Sequence, residues 1–144
     1  MRSKSRPSVS RGAWFGAALS AIVLQAGTVD ADDAANVKPV FSQPLPNVAG
    51  NTMTALLVSY EPGGKSDAHH HAGAVFAYIL SGAIRSQVGP GGEVKVYKAG
   101  ESFFEPPGST HFVSENASTT APASLLAVII APPEATLTTM GQRN

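Results

Sequence analysis

The sequence predicts an all-β sandwich or barrel with little helix, and three observations carry that expectation. Short β-branched and apolar runs recur from Asn51 onward, and glycine and proline clusters separate them at intervals of about 8–12 residues. Beyond the first thirty residues, no window of about a dozen keeps the 3.6-residue apolar period of a helix.

The first 31 residues read differently from the rest. Arg2, Lys4, Arg6 and Arg11 precede an uncharged stretch from Gly12 to Val29 whose apolar heart runs from Ala13 to Ala26. That heart is too short for a bilayer span, which needs about 20 apolar residues. A basic start, a short apolar segment and a small-residue exit describe a secretory signal peptide over residues 1–31, cleaved near Ala31. The expected location is therefore periplasmic or secreted, with no membrane association once the signal is removed. The remaining 113 residues carry six basic and nine acidic side chains, a net charge of −3. No clustered basic excess exists, which argues against a nucleic-acid partner.

Residues 32–50 are rich in Pro, Asn and Asp, and are expected to form an N-terminal arm with one edge strand near Val40. The barrel is expected over residues 51–131. Thr54 to Tyr60 is its first strand and ends at Pro62-Gly63-Gly64. Ala74 to Leu80 ends at Ser81-Gly82, and Ile84 to Val88 follows it. Gly89-Pro90-Gly91-Gly92 then turns the chain into Val94 to Tyr97. Ser102 to Glu105 precedes Pro106-Pro107-Gly108, and the strands His111 to Ser114 and Leu125 to Ile130 close the series. Proline lies in the turns and not inside the runs, as strands require. Residues 132–144 are expected to be a loose polar tail. On the strand from Ala74, Phe76 and Tyr78 share one parity and Val75, Ala77 and Ile79 the other. Both faces are apolar, so one should meet the interior and the other a second sheet or subunit.

The chemistry is concentrated in histidines. There are four, and no cysteine, so a metal could be held only by His, Asp, Glu or water. Side chains alternate across a strand, so His69 and His71 share a face while His70 points away. His111 begins another strand after the rigid Pro-Pro-Gly turn and could bring a third imidazole to the same point. Three neutral imidazoles suit Fe, Mn, Ni, Cu or Zn, and ligand softness does not choose among them.

Two segments carry a family resemblance. Gly63, His69, His71 and Gly82 fall in register with the first motif of the cupin superfamily, and Gly100, Pro106, Gly108 and His111 with the second. Asn116 follows one residue later than is usual. The chain thus resembles a small single-domain cupin. This implies one double-stranded β-helix or jelly-roll barrel and a divalent metal on His69, His71 and His111. It also implies a small organic substrate or ligand within the barrel. One departure matters: the family's metal-binding Glu is replaced by Val75, which cannot bind a metal. Glu105 is the first candidate to substitute, ahead of Glu101 and Asp67; the competing reading makes Glu105 a rim residue paired with Arg85. The resemblance implies a metal-dependent enzyme of dioxygenase-like, isomerase or lyase type. The alternative is a non-catalytic barrel that binds a small ligand or metal. Pairing through strand edges and the N-terminal arm makes a homodimer the expected assembly.

Overall fold

A computed structural model describes residues 35–141; the segment expected to be a signal peptide, residues 1–31, lies outside the described residues. Eleven strands and no helix account for the regular structure of the described part. In chain order they are β1 (Ala35–Pro44), β2 (Thr52–Tyr60), β3 (Lys65–Ser66), β4 (His69–His71), β5 (Ala74–Ser81) and β6 (Ala83–Val88). They continue with β7 (Lys95–Lys98), β8 (Ser102–Glu105), β9 (Thr110–Asn116), β10 (Ala123–Ala131) and β11 (Thr138–Met140).

The strands form two antiparallel sheets. One has the order β1-β2-β10-β5-β8, the other β11-β4-β9-β6-β7, with β3 also paired to β9. Alternation fixes which residues meet between them. Val75, Ala77 and Ile79 of β5 turn inward beside Leu125, Ala127 and Ile129 of β10, and Ile84 of β6 meets them from the other sheet. Val75, Ile79, Ile84 and Ile129 have no measurable exposure and lie at the heart of the core.

Two glycines permit this closure. Gly82, at φ 67°, turns β5 into β6, and a Cβ there would press against Ala123 and the Pro122 carbonyl. Gly73 lies so close to the Ile130 carbonyl that any Cβ would overlap it, which lets β4 run into β5 beneath β10.

Both ends of the described chain differ from a picture of loose extensions. Ala35–Pro44 is a ten-residue strand on the edge of the first sheet, paired to β2 along its length with a bulge between Pro39 and Phe41. The expectation of a loose tail is corrected. Thr138–Met140 pairs residue for residue with His71, His70 and His69, and Leu137 packs against the core. The tail lacks a strong strand pattern because its order comes from pairing with β4, and propensity contributes little.

Candidate metal centre

Strand pairing brings the histidines together. His69 on β4 stands directly opposite His111 on β9, and His71 lies on the same face of β4 as His69. The ring centres are 5.0 Å apart for His69 and His71, and 5.1 Å for His69 and His111. All three rings are buried, and Phe103 stacks edge-on against His111. His70 points away as alternation requires, and its Nδ1 meets the Gly141 carbonyl at 3.4 Å.

Two of the rings have their tautomer set by the backbone. His69 Nδ1 donates to the Asp67 carbonyl at 2.7 Å, and His71 Nδ1 donates to the Leu137 carbonyl at 3.0 Å, with Thr138 Oγ1 at 3.1 Å. A carbonyl can only accept, so Nδ1 carries the proton and Nε2 carries the free lone pair. An outer partner of this kind orients a metal-binding imidazole. His111 is held at both nitrogens: Nε2 lies 2.8 Å from Ser86 Oγ and Nδ1 lies 3.3 Å from Glu105 Oε1.

Glu105 completes the cluster. It is the cross-strand partner of Val75, so its carboxylate enters from β8 beside the place where the family pattern expects one from β5. Its Oε2 is buried without a hydrogen-bond partner and lies 4.0 Å from His71 Nε2. The alternative pairing with Arg85 does not occur: Arg85 pairs with Glu115. Glu101 accepts from the Lys98 amide in a turn, and the exposed Asp67 contributes its carbonyl to His69, so neither carboxylate belongs to the cluster. Asn116, the late residue of the second motif, ties the Glu61 and Ala121 carbonyls together.

The electrostatics follow from this packing. Burial lowers the pKa of His69, reinforced by the neighbouring imidazoles and only partly opposed by the Asp67 carbonyl, so the ring stays neutral. Burial alone would raise Glu105; the His111 hydrogen bond and the three imidazoles outweigh it and hold the carboxyl below its ordinary value. A neutral His69 and an ionised Glu105 are in the protonation states that metal binding needs.

The donor chemistry and the orphaned Glu105 oxygen fit a divalent metal. Among the described residues, no group of three or more His, Asp or Glu side chains is placed to hold a metal ion, and both His111 nitrogens are engaged, by Ser86 and Glu105.

A cavity of about 280 Å³ opens above the cluster between the edge strands β1 and β11. Val37, Met140 and Lys65 stand among the residues that line it, while Leu56, Val58, Leu125 and Ala127 make an apolar wall. Tyr60 closes one side, with its hydroxyl 2.8 Å from both Ser66 Oγ and Ser114 Oγ. Burial pushes its phenol above the ordinary value of 10.0, so the hydroxyl stays protonated. Tyr60, Ser86, Ser114 and Thr138 do not stand out in the sequence. The available signal was inward parity with Leu56 and Val58 for Tyr60, and with Ile84 for Ser86.

The Cupin domain family model matches residues 56–129. Among solved structures, a Klebsiella pneumoniae protein with a double-stranded β-helix domain is 21% identical, with TM-score 0.59 over 76% of this chain and 86% of that one. A mutant Bacillus subtilis oxalate decarboxylase is 22% identical with TM-score 0.60, over 74% of this chain and 28% of the enzyme. Another structure of that enzyme concerns its Mn(II) centres. The DMSP lyase of Ruegeria pomeroyi is 18% identical with TM-score 0.59, over 75% of this chain and 52% of the lyase. The chain therefore spans under a third of the decarboxylase and about half of the lyase. A comparison with curated proteins finds no match.

Proposed function

The chain belongs to the Cupin domain family, and from that premise we propose that it is an exported, metal-dependent enzyme acting on a small organic molecule. The metal would be divalent and held by His69, His71 and His111, with Glu105 supplying the carboxylate absent at Val75. One observation carries this reading: a buried carboxylate oxygen without a partner faces an imidazole whose free nitrogen is fixed by the backbone. An unsatisfied buried carboxylate oxygen is costly, by about 1–3 kcal/mol or more for a charged group. Cation binding would relieve that cost.

A bound divalent metal would supply a Lewis acid with open positions for substrate. The chain's own residues do the rest. The Asp67 and Leu137 carbonyls hold His69 and His71 in one tautomer. Leu56, Val58, Leu125 and Ala127 present an apolar wall to the substrate's body and exclude water. Tyr60, kept protonated, offers a hydroxyl proton held between Ser66 and Ser114. Iron would favour dioxygenase chemistry, and Mn, Ni or Zn isomerase, lyase or decarboxylase chemistry. The decarboxylase and lyase among the structural neighbours fall in the second group, although likeness at that identity carries the fold alone.

The second reading is a non-catalytic barrel that binds a small ligand in the periplasm. The committed nitrogens of His111 favour it, since that ring is satisfied without a metal. Elemental analysis of the untagged protein beside a His69→Ala/His71→Ala variant separates the two. Near-stoichiometric metal, lost in the variant, supports the enzyme. No metal in either protein after reconstitution, with tight ligand binding retained, supports the binding barrel.

A further inference from the structure

Ser86 stands behind His111, on the side away from the cavity. It comes from β6, the neighbour of β9, and is buried. His69, His71, His111 and Glu105 line the cavity, whereas Ser86 lines a separate cleft of about 260 Å³ with Tyr97 and Phe103. Its hydroxyl meets the ring at 2.8 Å and lies apart from any molecule held in the cavity.

The His111 ring is turned in the opposite sense to its neighbours. His69 and His71 direct Nδ1 outward to the Asp67 and Leu137 carbonyls and leave Nε2 for the cluster. His111 directs Nδ1 inward to Glu105 and Nε2 outward to Ser86. Phe103 stands edge-on at 5.7 Å, so the ring is gripped in this sense.

The outward partners also differ in kind. A carbonyl only accepts, so His69 and His71 keep Nδ1 protonated with or without a metal, whereas a hydroxyl can donate or accept. Without a metal, the Glu105 carboxylate draws the proton of the neutral His111 ring to Nδ1, and Ser86 donates to Nε2. Once Nδ1 gives its lone pair to a cation, the ring's one proton must sit on Nε2, where Ser86 accepts it. The hydroxyl hydrogen of Ser86 then turns toward the cleft, where solvent accepts it. One proton leaves Nδ1 and one reaches Nε2 by exchange with water, so the ring gains no charge.

We propose, on the metal reading of the site, that Ser86 is a positioning residue. It holds His111 as an Nδ1 ligand beside two Nε2 ligands, and it changes from donor to acceptor as the site fills. The test adds diamagnetic zinc to the purified chain carrying isotope-labelled histidine and follows the ring nitrogens by NMR. His111 is expected to be protonated at Nδ1 before zinc and at Nε2 after it, while His69 and His71 stay protonated at Nδ1. Zinc bound with His111 still protonated at Nδ1 overturns the proposal and leaves the metal reading standing. No zinc uptake overturns both.

Ser86→Ala should weaken zinc about 10- to 100-fold in a chelator competition, and Ser86→Thr should restore most of that loss. Were His111 to bind through Nε2, Ser86 would compete with the metal and the alanine would tighten binding. Unchanged or tighter binding in Ser86→Ala therefore overturns the proposal. If the alanine variant does not fold, the wild-type spectra decide alone.

Discussion

Val75 and Glu105 are direct partners across the β5–β8 ladder, and both side chains point into the barrel. Cβ atoms of such a pair lie about 4.5–5.5 Å apart, so a carboxylate on either strand reaches nearly the same region. Loss of the usual Glu from β5 is therefore matched by a Glu one strand away. Glu105→Gln is expected to weaken metal binding about 10- to 100-fold in a chelator competition. Adding Val75→Glu to that variant should recover most of the loss. Unchanged affinity in Glu105→Gln would remove Glu105 from the donor set.

The metal-free protein should lose stability on acidification in two windows. His69 has a folded pKa below the 6.5 of an ordinary histidine, so the unfolded chain binds its proton first and stability falls as pH drops below about 6.5. Glu105 is likewise lowered from 4.5, so a further loss begins below that value. Each group contributes a slope of at most about 1.4 kcal/mol per pH unit. Urea midpoints from pH 4 to 9 test this; in His69→Gln the upper window should vanish, and its persistence would assign it elsewhere.

Thr138 bonds the same imidazole nitrogen as the Leu137 carbonyl. Thr138→Val should cost about 0.5–1.5 kcal/mol of stability and weaken metal binding, while Thr138→Ser restores both. Thermal melts with and without metal provide the reading. Equal behaviour of the Val and Ser variants would mean the hydroxyl does not orient His71.

Tyr60→Phe strips the hydroxyl that satisfies buried Ser114. The expected cost is about 1–3 kcal/mol in denaturant titration, from a hydroxyl left unpaired in the interior. Tyr60→Phe combined with Ser114→Ala should recover part of it. A double variant no more stable than the single one would show that Ser114 finds another partner.

Much of the fold was legible because its signals are local. Strand alternation placed His69 and His71 on one face and His70 on the other, and the Gly-Pro clusters marked the turns. The role of Glu105 was legible only as a candidate, since its meeting with Val75 depends on register between strands 30 residues apart. Arg85 was the favoured partner for Glu105 on sequence grounds until β6 and β9 set it against Glu115. The strand Thr138–Met140 was illegible because its sequence has no alternation and its order comes from β4. Phe103 and Phe104 are alike in composition, and only strand parity turns Phe103 inward and Phe104 to the outer face.

The cavity opens between β1 and β11, which are the first and last strands of the described chain. The doorway is therefore built from the two segments most easily altered by trimming, fusion or proteolysis, while the histidines sit on interior strands. A change confined to β1 alters which molecules enter and leaves the histidines untouched, whereas a change at β11 also frees His71 Nδ1 from Leu137 and Thr138. Access and chemistry are thus separable at one jamb of the doorway and tied together at the other, so a preparation with full metal and no turnover directs attention first to β1.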